Sequence, residues 1–161
     1  MSRFQKHGLK IIFIISLIGT ARSLYYGYFG DPVANILSRQ LFNTANAMPP
    51  CTLCWYARIL LYPTVLISLV GLLKKNSDTM DYIRPFALIG FLLEVYQFWL
   101  QKFPNIFSSG LCNRNNPCNA IQVQYFGFIT IPLLWLIAFA LILIVAICMK
   151  KHKDETNVIL T

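Results

Sequence analysis

The chain is poor in charge, and poorest in acid. Only 12% of its 161 residues are charged, and just six are Asp or Glu against fourteen Lys or Arg. A soluble domain of this length needs more polar surface, so that class is excluded. Histidine is almost absent: His7 and His152 stand among charged residues near the ends. No His follows Cys54, where Trp55 stands, which removes a c-type haem attachment site. No small-residue cleavage site of the Ala-x-Ala type follows the basic start, so the first apolar run is expected as a retained span. Internal repeats and low-complexity stretches are missing as well.

What is present is apolar: 57% of the residues are hydrophobic, gathered in runs that approach or exceed the ~20 residues needed to cross a bilayer. Residues 9–28, 53–73, 83–103 and 125–149 read as four membrane spans in one integral membrane domain, residues 1–161. The outer loops are 29–52 and 104–124, and residues 150–161 form a polar tail expected to be disordered. Pro63 is expected to kink the second span and Pro132 lies near the start of the fourth. Asp31-Pro32 has the form of a helix start, and Val33, Ile36, Leu37 and Leu41 share a face. A short amphipathic interfacial helix in the first outer loop fits this pattern, as does a loop packed on the bundle mouth. The fold class is therefore all-α, an up-down bundle of four transmembrane helices.

The net charge of +8 follows the ends of the spans and forms no soluble basic face, so membrane topology explains it and nucleic acid does not. Nine of the fourteen cations (Arg3, Lys6, Lys10, Lys74, Lys75, Arg84, Lys150, Lys151 and Lys153) fall on one side. The opposite loops hold Arg39, Lys102 and Arg114, while Arg22 and Arg58 lie within spans. The positive-inside rule then places both termini in the cytoplasm and Cys51, Cys54, Cys112 and Cys118 at the outer face of a plasma membrane, where disulfides persist.

Those cysteines form two local pairs. Cys51 and Cys54 open the second span in Pro50-Cys51-Thr52-Leu53-Cys54-Trp55-Tyr56-Ala57-Arg58. A Cys-x-x-Cys pair at a helix N-terminus suits redox work, with Cys54 in the first turn where the helix dipole favours a thiolate. Arg58, one turn deeper on the same face, can lower that thiol's pKa or bond the oxygen of an acceptor arriving from lipid. A structural staple with a snorkelling arginine is the plainer alternative. Cys112 and Cys118 flank Asn113-Arg114-Asn115-Asn116-Pro117, expected as an exposed turn within reach of another protein. Two pairs on one face suggest a relay by thiol–disulfide exchange, although stabilising disulfides fit the second pair equally. Zinc on the four cysteines is disfavoured by the Cys-x5-Cys spacing and the oxidising side.

Within the spans only one acid occurs, Glu94. It can pair with Arg58, serve as a proton relay, or sit protonated between helices; Gln97 is a rival partner for Arg58. Arg22 can snorkel or meet a lipid headgroup or quinone, Trp55 and Tyr56 can touch a ring-shaped ligand, and Cys148 reads as an apolar lipid-facing residue.

Taken together, these stretches resemble the DsbB/BdbC family of bacterial membrane thiol oxidases. The resemblance rests on residues 50–56 with Arg58, on Leu61-Tyr62-Pro63, on the pair Cys112 and Cys118, and on Phe126-Gly127-Phe128-Ile129-Thr130-Ile131-Pro132, which is similar to the BdbC branch. It implies a quinone-dependent thiol–disulfide oxidoreductase. Such a protein re-oxidises an extracytoplasmic DsbA/BdbD-like partner and passes the electrons to ubiquinone or menaquinone. By resemblance Cys51 and Cys54 are the quinone-proximal pair, with Cys54 facing the quinone beside Arg58. Cys112 and Cys118 are the partner-facing pair, with Cys112 forming the mixed disulfide. Ala57 stands where the family usually carries Gln or Glu, and residues 31–50 are longer than the BdbC branch leads one to expect. A disulfide-stapled scaffold subunit and an exofacial disulfide reductase are the competing functions.

Overall fold

The computed structural model describes residues 3–30, 50–76, 78–103, 118, 124–125 and 129–159. Four helices dominate it: α1 (Arg3–Phe29), α2 (Thr52–Lys74), α3 (Thr79–Lys102) and α4 (Ile131–Ile159). All four are long and apolar enough to cross a membrane. Each packs on its sequence neighbour, and α4 returns to α1, so the bundle closes. The directions alternate. Arg58 near the start of α2 meets Ser23 near the end of α1, and Gln97 near the end of α3 meets Cys51 before α2. At the opposite end, Arg84 of α3 donates from Nε to the Ala146 carbonyl of α4 at 3.2 Å. The up-down order expected from four spans with short connections is the one observed.

The core is a column of Leu9, Ile12, Leu61, Ile83, Ala87, Phe139, Ile142 and Ala146 between the helices. Small residues let the backbones approach. A Cβ on Gly90 of α3 would run into the Phe139 ring of α4. Buried hydroxyls turn back on their own helices, with Ser16, Thr64 and Ser68 bonding the carbonyls of Phe13, Leu60 and Val65. This satisfies polar groups where no water is at hand. Ile14, Ile18, Leu66, Leu73, Leu92 and Ile144 point outward, each 45% exposed or more. Such a girdle would be an aggregation hazard in water and is ordinary against lipid.

Several boundaries differ from the sequence expectation. The fourth span does not begin at Tyr125. Gln124–Tyr125 (β1) pairs antiparallel with Ile129–Thr130 (β2), and the helix starts only at Ile131. Phe126 to Ile131 is rich in aromatic and β-branched residues, which favour strand over helix. Pro132 then falls in the first helical turn, where its missing N–H leaves no bond unmade. The tail is also not irregular, since α4 continues to Ile159. A helix already nucleated by its apolar length extends at little cost through Lys and Glu, which are good helix formers. Helix α2 runs through Pro63 without a break. The amphipathic helix expected in the first outer loop falls outside the described residues, as does Cys112.

Candidate functional site

Cys51 is the N-cap of α2. Its backbone is extended (φ −67°, ψ 166°) and its sulfur accepts from the Cys54 backbone N–H at 3.3 Å. The helix end therefore turns its free N–H groups on Cys51, not on Cys54 as the sequence suggested. The two residues carry free thiols with 2.8 Å between the sulfurs, a hydrogen-bonded dithiol. The Gln97 amide of α3 completes the arrangement, donating from Nε2 to Cys51 Sγ at 3.3 Å and Cys54 Sγ at 3.1 Å. Cys51 is pulled from the usual thiol range down to about 6, first by the hydrogen bond from the Cys54 thiol. Burial opposes that shift, while the Cys54 N–H and the Gln97 amide add to it.

The two sulfurs face different surroundings. Cys51 shares a buried cluster with Leu53, Leu100 and Cys118. Cys118 is disulfide-bonded and only 3% exposed, so the exposed turn expected around the second pair does not hold at this residue. Cys54 also lines a cavity of about 260 Å³ between α1, α2 and α4. Ile15, Ile18, Leu134, Trp135 and Leu141 give its apolar walls, and Arg22, Tyr26 and Arg58 its polar groups.

Arg58 reaches across to α1, where Nη2 donates to the Ser23 carbonyl at 3.2 Å, and Tyr62 donates to Ser23 Oγ at 3.3 Å. Gly27 makes this possible, because a Cβ there would stand 3.3 Å from Arg58 Nη2. Arg22 donates to Tyr26 Oη at 3.2 Å with its guanidinium 5.4 Å from the ring centre.

Other expectations separate here. The structure does not pair Glu94 with Arg58: both Glu94 carboxyl oxygens are buried without a hydrogen-bond partner. Gln97 serves the cysteines instead of Arg58. Trp55 and Tyr56 point away from the bundle, 52% and 42% exposed, and Trp135 lines the cavity in their place. Ser23 and Trp135 were not singled out from sequence, and Tyr26 was read with Tyr25 and Tyr28 only as part of an interfacial aromatic belt. A stripe at Ile131, Leu134, Trp135 and Ala138 was visible at helical spacing, but spacing does not say which neighbour a stripe faces. No group of His, Cys, Asp and Glu suited to a metal ion occurs among the described residues.

The family model for disulfide bond formation protein DsbB matches residues 21–149. Disulfide bond formation protein C of Bacillus subtilis is 38% identical over 120 residues, covering 74% of this chain and 87% of its own. A second B. subtilis protein, the SPbeta prophage-derived disulfide bond formation protein B, is 35% identical over 162 residues, covering 98% and 97%. The probable disulfide formation protein C of Halalkalibacterium halodurans is 34% identical over 131 residues, covering 81% and 96%. No solved structure matches the chain.

Proposed function

Since the chain belongs to the DsbB family of membrane disulfide oxidoreductases, in its BdbC-like branch, we propose that it re-oxidises an extracytoplasmic DsbA-like thiol oxidase and hands the electrons to a membrane quinone. One observation carries this reading. The inner pair lies between a buried disulfide-bonded cysteine, Cys118, and a cavity edged by Arg58. Once the partner has reduced the Cys118 disulfide, electrons have a donor on one side of Cys51–Cys54 and room for an acceptor on the other.

In this mechanism a thiolate of the partner attacks the Cys112–Cys118 disulfide, and the partner's second thiol resolves the mixed disulfide. The outer dithiol then attacks the Cys51–Cys54 disulfide, leaving the inner pair reduced. Each exchange moves two electrons and needs an accessible thiolate. The donors gathered on Cys51 stabilise the negative charge that appears when the inner disulfide opens. The cavity suits a quinone ring: apolar walls for the ring and tail, and guanidinium groups of Arg58 and Arg22 for a carbonyl oxygen. A quinone bound there supplies the two-electron acceptor. Arg58 orients it, Cys54 faces it, and the surrounding Ile and Leu side chains keep water out. The basic end of the bundle lies in the cytoplasm and the cysteine end outside, by the positive-inside rule.

Purified protein in detergent, given a reduced DsbA-like partner and either menadione or a short-chain ubiquinone, tests this. Quinol should form in step with partner disulfide. Cys54→Ser should abolish quinol formation, and a Cys54→Ser protein that turns over at the wild-type rate refutes the assignment.

A further inference from the structure

The mechanism leaves one buried ionisable group unused. Glu94 is 1% exposed, and neither of its carboxyl oxygens has a hydrogen-bond partner. Such a group inside a membrane bundle is expensive, and expensive intramembrane acids are usually kept for a task. Three residues on, Gln97 Oε1 is likewise buried and unpartnered, while Gln97 Nε2 bonds both sulfurs. Positions i and i+3 share a helix face. Acid, amide and dithiol thus lie along one polar line inside the bundle.

Closing a dithiol to a disulfide releases two protons with two electrons. Cys51 parts with its proton readily. Cys54 needs an acceptor. Arg58 donates to the Ser23 carbonyl and offers no lone pair that could accept a proton. An amide does not take up a proton at ordinary pH. α4 carries no charged side chain from Ile131 to Met149, and on α1 Arg22 and Tyr26 belong to the cavity. Among the described residues, the ionisable groups on this line with Glu94 are the two thiols.

We propose that Glu94 exchanges a proton with the Cys51–Cys54 pair, directly or through one water held by Gln97 Oε1. This rests on the thiol-oxidase reading above and adds to it the residue that handles the proton. On oxidation the Cys54 S–H bond breaks as its proton passes to one oxygen of the buried Glu94 carboxyl, the other oxygen gives its own proton to water, and the two thiolates join as a disulfide. Their two electrons pass to the quinone, which takes two protons from water to become quinol. When the outer dithiol reopens the disulfide, the same carboxyl passes a proton back to the sulfur and is refilled from water.

Glu94→Gln keeps the size and polarity of the side chain but exchanges no proton. Reduced protein is mixed with menadione, quenched in acid at intervals, and the inner thiols are trapped by alkylation. Single-turnover oxidation should slow about 100-fold, within the usual range for losing a general acid–base group. The dependence of that rate on pH should flatten, and Glu94→Asp should bring the dependence back at an intermediate rate. Infrared difference spectra of oxidised against reduced wild type should show a carboxyl C=O band that Glu94→Gln lacks. A Glu94→Gln protein at the wild-type rate overturns the proposal, as does a slower one with the wild-type pH profile, which is a packing effect. Either result leaves quinone-linked oxidation standing. If Glu94→Gln does not fold, the wild-type spectrum decides alone, and absence of a carboxyl change is the overturning result. Wild type that neither menadione nor a short-chain ubiquinone oxidises removes the proposed function and this inference with it.

Discussion

Cys51 is the sulfur its surroundings favour as the anion, first through the Cys54 thiol and to a smaller extent through the Gln97 amide it shares with Cys54. Cys51 receives the Cys54 thiol, the Cys54 N–H and the Gln97 amide, and ends near 6. With the folded value below the unfolded one, the thiolate's stabilisation is fully present above the ordinary thiol range and is lost as pH falls through about 6. The reduced protein should therefore gain stability between pH 6 and 9, and the oxidised protein should not. Gln97→Leu removes one donor and fills similar space. The midpoint of the pH profile for iodoacetamide labelling of Cys51 should then move upward from about 6. A Gln97→Leu midpoint equal to that of wild type would show that the amide contributes nothing to the thiolate.

Among the elements, the α3–α4 contact is demanding of shape. Phe139 is 1% exposed and its ring occupies the space a side chain at Gly90 would need. Gly90→Ala should cost about 1–3 kcal/mol, the usual range for overpacking, read from unfolding in mixed detergent micelles. Phe139→Leu added to it should recover part of that loss, since the two positions share one clash. Four spans, their order and their alternating direction were legible in the apolar runs, because period and length are local properties. The start of α4 was misjudged because Phe126–Ile131 is apolar enough for a span and β-prone enough for a strand, and pairing decided it. At the site, Cys51, Cys54 and Arg58 were marked by chemistry rare in a membrane helix. Gln97 was noticed and given the wrong partner, since depth along a helix does not tell which face is turned to α2. Ser23 carried no signal, being an ordinary residue made relevant by Gly27 and the reach of Arg58.

At the scale of the whole molecule, the two ends of the bundle differ in charge, and the site lies at the poorer one. Lys74 and Lys75 end α2, Lys150 follows Met149, and Arg84 with Asp81 opens α3, all at the end away from Cys51. At the cysteine end the described cations are Arg22, Arg58 and Lys102, and the first two bond Tyr26 and Ser23 within the bundle. Each uncompensated cation resists transfer across the bilayer, so the proposed orientation keeps the basic end in the cytoplasm and carries the dithiol end out. Asn76 and Phe103 are exposed at opposite ends and suit a direct test. In whole cells of a bacterial host, a membrane-impermeant maleimide should label Phe103→Cys at once. It should label Asn76→Cys only after the membrane is opened, with sites assigned by peptide mass mapping. The reverse pattern would put the dithiol in a reducing compartment, where an oxidase has no use for Cys118 as a disulfide and the proposed electron path would have to run the other way.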